Sequence, residues 1–269
     1  MTGLAGSEAA WRLGAFAFVF MLLACAEHRA PKRNLGQPRL RRWTTNLGIL
    51  LVDVLVQRLT VGAIVFGAGA WAQAEGTGLF NRLGWPFAVE AMLGFVALDL
   101  AVWAQHVASH RWPLLWRLHE VHHADEDVDV TTGIRFHPLE IVLSALWKAL
   151  VVVALGIDPW AALVFEVVLN ASSLFTHANA ALPFRLDRAL RWVVCTPDMH
   201  RIHHSVERRE ADSNYGFFLS VWDRAFRTMR DQPQSGHGAM RLGTTRTLGR
   251  KLGLIGSILL PFTRSDGRR

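Results

Sequence analysis

Ten of the twelve histidines in this 269-residue chain fall between positions 106 and 204. Most sit in three clusters: His106-x-x-x-His110, His119-x-x-His122-His123 and His200-x-x-His203-His204. His137 and His177 stand singly in the same region, and only His28 and His237 fall outside it. Neutral imidazole is the commonest protein ligand for transition metals. A closed tetrahedral site takes four ligands, so three clusters exceed the needs of one ion. The pattern predicts two metal ions close together, held almost entirely by nitrogen. Any fold must then bring these stretches to one place.

Local geometry supports this. Residues i, i+3 and i+4 share one face of an α-helix. The 119–123 and 200–204 clusters each contain that spacing, so each presents two or three imidazoles to a common centre. His106 and His110 form an i, i+4 pair. His28 and His237 read as ordinary hydrogen-bonded histidines. The two cysteines, Cys25 and Cys195, form no motif and support neither a disulfide framework nor a thiolate zinc site. All-imidazole ligation suits Fe, Zn, Cu or Ni, whereas soluble carboxylate-rich di-iron bundles use Glu plus Glu-x-x-His.

The apolar residues point to a membrane. They make up 51% of the chain against 19% charged, and they come in long blocks. Blocks at 11–26, 46–72, 85–105, 139–156 and 158–176 read as helical spans, of which 46–72 is long enough for about 30 Å of hydrocarbon. The first could be a signal peptide, and Leu22-Leu23-Ala24-Cys25 resembles a lipoprotein cleavage site. Six basic residues at 29–43 resist export, so a retained helix is the expected reading. Asp53, Gln57 and Arg58, and Glu90 and Asp99, are costly in lipid and should face protein or an interface. Residues 73–84 read as a polar turn, and Gly156-Ile157-Asp158-Pro159 as the break of a tight hairpin. Trp11, Trp43, Trp71, Trp85 and Trp160 flank the blocks, where indole favours the bilayer interface. The expected units are 1–45 (membrane helix and basic loop), 46–230 (membrane metal domain) and 231–269 (basic tail or amphipathic segment).

Net charge is +7, concentrated in short stretches. Beside apolar spans such an excess marks a cytoplasmic face, and nucleic acid is not an expected partner. The 29–43 loop therefore lies inside. Counting spans from there puts every clustered histidine on that same side. The expected fold is all-α: a multi-span helical membrane protein with a cytoplasmic, histidine-rich, metal-binding helical cap.

A metal site at a membrane face, reached along apolar helices, admits a lipid from the bilayer. Breaking an unactivated C–H bond needs oxygen chemistry that side chains cannot supply, so redox iron is the expected metal, with zinc a ready substitute in purified protein. Two rivals come from other classes. His119-Glu120-x-x-His123 matches the H-E-x-x-H pattern of zinc metallopeptidases, with Glu120 as general base. A histidine-lined metal transporter is the other, which would need polar groups along its path. The peptidase leaves most of the other histidines unexplained.

H-V-A-S-H at 106–110, H-E-V-H-H at 119–123 and H-R-I-H-H at 200–204 together resemble the fatty acid hydroxylase / sterol desaturase superfamily of integral-membrane non-haem di-iron oxidases. Supporting strings are Arg135-Phe136-His137-Pro138-Leu139-Glu140, Phe175-Thr176-His177-Ala178-Asn179, Thr196-Pro197-Asp198-Met199-His200, Asn214-Tyr215-Gly216 and Val221-Trp222-Asp223-Arg224. The resemblance covers about residues 45–230. The first box has three intervening residues where some relatives have four, which moves the chain toward the sterol-desaturase-like branch.

The resemblance implies two Fe ions, O2 as co-substrate, and His106, His110, His119, His122, His123, His177, His200, His203 and His204 as ligands. It leaves His137 as a ligand, a ligand-orienting group or a substrate-facing group, and Asn179 as a donor to a ligand. Asp99, seven residues before His106 on the same helical face, would orient an imidazole or serve as a hydrogen-bonded acid near the helix end. Asp198 and Asp223 are expected to cap or brace loops. With no fused cytochrome b5 expected, electrons would come from a separate ferredoxin, cytochrome or reductase, and basic loops would speed its encounter. The implied activity is hydroxylation or desaturation of a C–H bond in a sterol, hopanoid, carotenoid, fatty acyl or ether lipid, with a bacterial inner membrane as the expected location.

Overall fold

Proline sets where most of the long helices begin, since its φ is preset for helix and it has no N–H to leave unpaired in the first turn. In a computed structural model, which describes residues 2–263, the chain is a bundle of helices with only isolated bridges between extended residues. Helices α1 (Thr2–Arg29), α2 (Arg39–Thr60), α3 (Ile64–Ala74), α4 (Leu79–Leu83) and α5 (Phe87–Arg111) make the first half. Helices α6 (Pro113–His123), α7 (Pro138–Leu155), α8 (Pro159–His177), α9 (Phe184–Leu190) and α10 (Pro197–His203) follow. Pro38 and Pro86 directly precede α2 and α5, and α6, α7, α8 and α10 open on proline itself. The Asp158 carboxylate accepts from Trp160 N at 2.8 Å and Ala161 N at 3.2 Å, capping α8. Gly156, left-handed at φ +72°, ends α7.

Five helical stretches among the described residues are long and apolar enough to cross a membrane: Ala10–Arg29, Arg39–Leu83, Phe87–Arg111, Pro138–Leu155 and Pro159–His177. Their outward faces carry exposed Leu51, Leu59, Met92, Leu150 and Val164, as lipid-facing positions require. The second stretch departs from the single 46–72 span that the sequence predicts. It is interrupted at Gly62, which takes a left-handed φ of +53°, a conformation glycine reaches without the Cβ clash. The eleven-residue α3 that follows is about 16 Å long, too short to span alone. It packs on α7 and α8, where a Cβ on Gly69 would lie 2.9 Å from Ile157 O. The predicted turn at 73–84 contains α4, whose Asn81 Nδ2 donates to Thr77 O at 2.7 Å.

The remaining packing converges on one end of the bundle. Helix α5 delivers His106 and His110 there. Helix α7 leaves from it and α8 returns to it with His177 as its last residue. Glu27, at the end of α1, accepts from Val130 N and Asn179 N, each at 2.6 Å. The C-terminal segment also lies at this end, with Leu252, Leu254, Ile258 and Leu260 packed on Ile49, Val121 and Ala124. The last six residues of that basic segment, 264–269, lie outside the described residues.

Candidate metal centre

Helices α5, α6, α8 and α10 bring nine imidazoles to this end in two adjoining groups. In one, ligand-capable nitrogens of His106, His110, His119, His123 and His203 all lie within 4.8 Å of one another; in the other, those of His122, His177, His200 and His204 do. All nine residues are buried. The groups touch through His123 and His204, whose rings stack with centroids 4.5 Å apart.

Hydrogen bonds to the outer ring nitrogens fix which nitrogen faces inward. His106 Nδ1 lies 2.6 Å from Tyr215 O, His122 Nδ1 3.2 Å from Arg135 O, His177 Nδ1 2.6 Å from Ser173 O and His203 Nδ1 2.7 Å from Ser213 O. A carbonyl oxygen only accepts, so each of these Nδ1 atoms carries its proton. His119 Nδ1 lies 2.6 Å from Glu140 Oε1 and donates to that carboxylate. His110 Nδ1 lies 3.5 Å from Asp212 Oδ1. A neutral ring protonated at Nδ1 presents a bare lone pair at Nε2.

Those lone pairs are aimed at one another. His122 Nε2 and His177 Nε2 lie 3.0 Å apart, and His106 Nε2 and His119 Nε2 3.1 Å apart. His200 Nε2 and His204 Nε2 each lie 3.1 Å from His177 Nε2, and His110 Nε2 3.2 Å from His123 Nε2. In the His122–His177 and His106–His119 pairs both protons are on the outer side, so none sits between the facing nitrogens. A cation resolves the repulsion. Metal–imidazole bonds of about 2.0–2.1 Å place neighbouring ligand nitrogens about 3 Å apart, which matches both groups. The donor set and its spacing therefore fit one metal ion per group.

Burial keeps His122, His123, His200, His203 and His204 neutral. Burial first, and the neighbouring imidazoles second, hold His122, His123, His200 and His204 well below the ordinary histidine range. Burial, with His119 next, lowers His203 to about 3. Unfolded imidazoles protonate near pH 6.5, so below that pH the unfolded chain binds more protons than the folded one. Stability of the metal-free protein is thus full above about pH 6.5 and is lost as pH falls toward about 3, with a slope near 1.4 kcal/mol per pH unit for each ring that stays neutral. Thermal melts in chelator should show the midpoint falling steadily between pH 7 and pH 5. A flat profile would contradict this account.

Three other residues singled out in the sequence join neither group. His137 caps α7, its Nδ1 accepting from Leu139 N at 3.2 Å while Nε2 lies 3.2 Å from Ile258 O. Asp99 Oδ2 accepts from Trp222 Nε1 at 2.8 Å. Asn179 braces the basic loop, with Oδ1 accepting from Arg33 N and Nδ2 donating to Arg33 O. Conversely, Glu140 and the carbonyls of Tyr215, Ser213, Ser173 and Arg135 touch the imidazoles without any expectation from sequence. Glu140 ends the Arg135–Glu140 string; the carbonyls carry no side-chain signal at all.

Glu120 lies within the middle cluster but points away from it. Its Oε2 pairs with Arg246 Nη1 at 2.5 Å, and its Oε1 accepts from Thr244 Oγ1 at 3.2 Å. Phenylalanines border the centre instead. Phe136 stacks on His122 with centroids 4.3 Å apart, and Phe217 lies 4.9 Å from His106 and 5.7 Å from His200.

Comparison with known proteins places this geometry in context. Residues 91–228, about half of the chain, match the family model described as Fatty acid hydroxylase. The chain is 28% identical over 185 residues to an ornithine lipid hydroxylase of Rhizobium tropici, covering 69% of this chain and 54% of that protein. It is 30% identical over 150 residues to the alkylglycerol monooxygenase of Homo sapiens, covering 56% and 32%. It is 25% identical over 147 residues to the cholesterol 25-hydroxylase of Rattus norvegicus, covering 54% and 48%. The chain thus spans about half, or less, of the length of the curated relatives it matches. No solved structure matches it.

Proposed function

Because this chain belongs to the fatty acid hydroxylase family, we propose that it is an O2-dependent di-iron hydroxylase acting on a C–H bond of a membrane lipid. The observation that carries the reading is the pair of facing, deprotonated Nε2 atoms in each group: His122 against His177 at 3.0 Å and His106 against His119 at 3.1 Å. The nine imidazoles would hold two Fe ions, which with O2 and electrons supply the oxidising power to break an unactivated C–H bond.

The chain's own residues do the rest. The Nδ1 partners of His106, His119, His122, His177 and His203 hold those rings in one orientation, which conserves ligand geometry through a reaction cycle. Phe136 and Phe217 give the centre an apolar border that suits a hydrocarbon and excludes water. The apolar core of α5, α7 and α8, including Leu98, Val102 and Phe165, packs against Phe217. A lipid substrate is further supported by the relatives, named for hydroxylating ornithine lipid, alkylglycerol and cholesterol. Hydroxylation is favoured over desaturation because it needs one hydrogen abstraction and no second C–H held in place. The electron donor is a separate ferredoxin, cytochrome or reductase.

The centre faces the cytoplasm in this proposal. Six basic residues at 29–43 mark that loop as inside, and the loop is tied to the histidine end: Lys32 Nζ pairs with Asp198 Oδ2 at 2.6 Å and Arg42 Nη2 with Asp125 Oδ2 at 2.8 Å. A zinc peptidase is disfavoured because Glu120, its required base, is committed to Arg246 and Thr244.

The test is metal analysis of anaerobically purified full chain, followed by incubation with bacterial lipid extract, a ferredoxin, its reductase and 18O2. About two Fe per chain and one 18O atom in a lipid product are expected. A chain that holds no iron after anaerobic loading, or that incorporates no labelled oxygen into any lipid, overturns the proposal.

A further inference from the structure

The peptide between Tyr215 and Gly216 links a buried carboxylate to the centre. Its carbonyl, on Tyr215, accepts from His106 Nδ1 at 2.6 Å. Its N–H, on Gly216, donates to Asp223 Oδ2 at 2.8 Å. Asp223 is fully buried, and its Oδ1 accepts from Tyr215 N at 2.9 Å, Thr228 Oγ1 at 2.6 Å and Trp103 Nε1 at 3.2 Å. All four donors are neutral, so hydrogen bonds alone hold this carboxylate.

Two physical consequences follow from this placement. A negative charge at the N–H end of a peptide polarises it, making the carbonyl at the other end a stronger acceptor. That strengthens the His106 Nδ1–H bond and makes His106 Nε2 a better electron donor. The same carboxylate also fixes the geometry. Trp103 lies one helical turn before His106 on α5, so one residue references both the helix carrying the imidazole and the loop carrying its acceptor. The peptide is seated tightly as well. A Cβ on Gly216 would lie 2.7 Å from Leu219 O and 3.1 Å from Asp223 Oδ2.

We propose that Asp223 is a positioning residue for the metal centre, acting on His106 through the Tyr215–Gly216 peptide rather than by touching metal or substrate. The inference rests on the reading of the histidine groups as iron sites. It is selective by construction, because His106 belongs to the five-histidine group alone. A residue that merely braced the fold would not single out one of two ions.

The experiment loads full-length protein in detergent with 57Fe(II) under anaerobic conditions and measures affinity for each ion and the Mössbauer spectrum. Asp223→Asn removes the charge and should weaken one of the two Fe(II) ions about 10- to 100-fold, shifting one quadrupole doublet and leaving the other in place. Gly216→Ala keeps every charge but pushes the peptide off Asp223, and should alter the same doublet. This second variant carries the test if Asp223→Asn does not fold. Ser220→Ala, which removes a buried bond to Arg191 O in the same loop, should change melting temperature without changing either doublet. Variants with wild-type affinities and spectra overturn the inference, as does loss of both ions together in step with stability. Wild-type protein that takes up no iron overturns instead the reading on which the inference rests.

Discussion

Alanine at His122 is expected to leave purified protein with about one iron instead of two and to lower lipid oxidation at least about a thousandfold, or about 4 kcal/mol of barrier. His122 belongs to the group of four, which has no donor to spare. Its Nδ1 is committed to Arg135 O, so Nε2 has no role except toward the centre. Glu120→Gln should keep both irons and most of the turnover, since Glu120 pairs with Arg246 on the far side of α6. A zinc peptidase predicts the opposite order, because its motif uses His119, Glu120 and His123 and spares His122. Iron content by mass spectrometry and 18O incorporation decide between them. Normal iron and normal turnover in His122→Ala would sink the di-iron assignment.

The largest stability loss is expected from Arg42→Met, about 3–5 kcal/mol, a large share of the 5–15 kcal/mol that holds a typical domain. Arg42 is 4% exposed. Its guanidinium donates to Asp125 Oδ1 at 3.0 Å, Asp125 Oδ2 at 2.8 Å and Asp129 Oδ2 at 2.5 Å, and also bonds Asp127 O. Removing it strands two buried carboxylates. Burial alone would push Asp125 up, but Arg42 outweighs burial and holds it at about 2. The sign follows: an unfolded aspartate titrates near pH 4, so this stabilisation is complete above about pH 4 and is lost as pH falls through about 2. Arg42→Lys should recover only part of the loss, since an ammonium cannot fork across both carboxylates. Denaturant melts in detergent measure it, and a loss below about 1 kcal/mol in Arg42→Met would show that the loop holds itself.

That network bears on the centre indirectly. It ties α2 to the loop between α6 and α7, where Arg135 supplies the carbonyl for His122 and also donates to Asn46 Oδ1 at 2.7 Å and Ser257 Oγ at 2.8 Å. None of this was legible in the sequence. A basic loop can be read as topology from composition, but which arginine turns inward depends on contacts across 83 or more positions. Asp99 shows the same limit: helical spacing relates it to His106, whereas its hydrogen bond goes to Trp222, 123 residues away.

The histidines were legible because their spacing is local. Residues i, i+3 and i+4 share a helix face whatever the rest of the chain does, so clusters on α6 and α10 announce a common target. The spans were legible for a similar reason, because hydrocarbon thickness fixes a run length. The interruption at Gly62 was not, since glycine is tolerated inside membrane helices and only the packing of α3 on α7 and α8 requires the bend there. Backbone acceptors for the imidazoles are invisible to sequence, because every residue offers the same carbonyl.

The four-histidine group draws on α6, α8 and α10. Its last two donors, His200 and His204, are made only after α7 and α8 have been synthesised. A growing chain emerges N-terminal end first, so neither group can close around an ion during the early stages of synthesis. Under the proposed function, metal loading is therefore ordered in time behind insertion of the whole bundle. Iron starvation should then yield a pool of inserted, unmetallated protein that can be activated later without new translation.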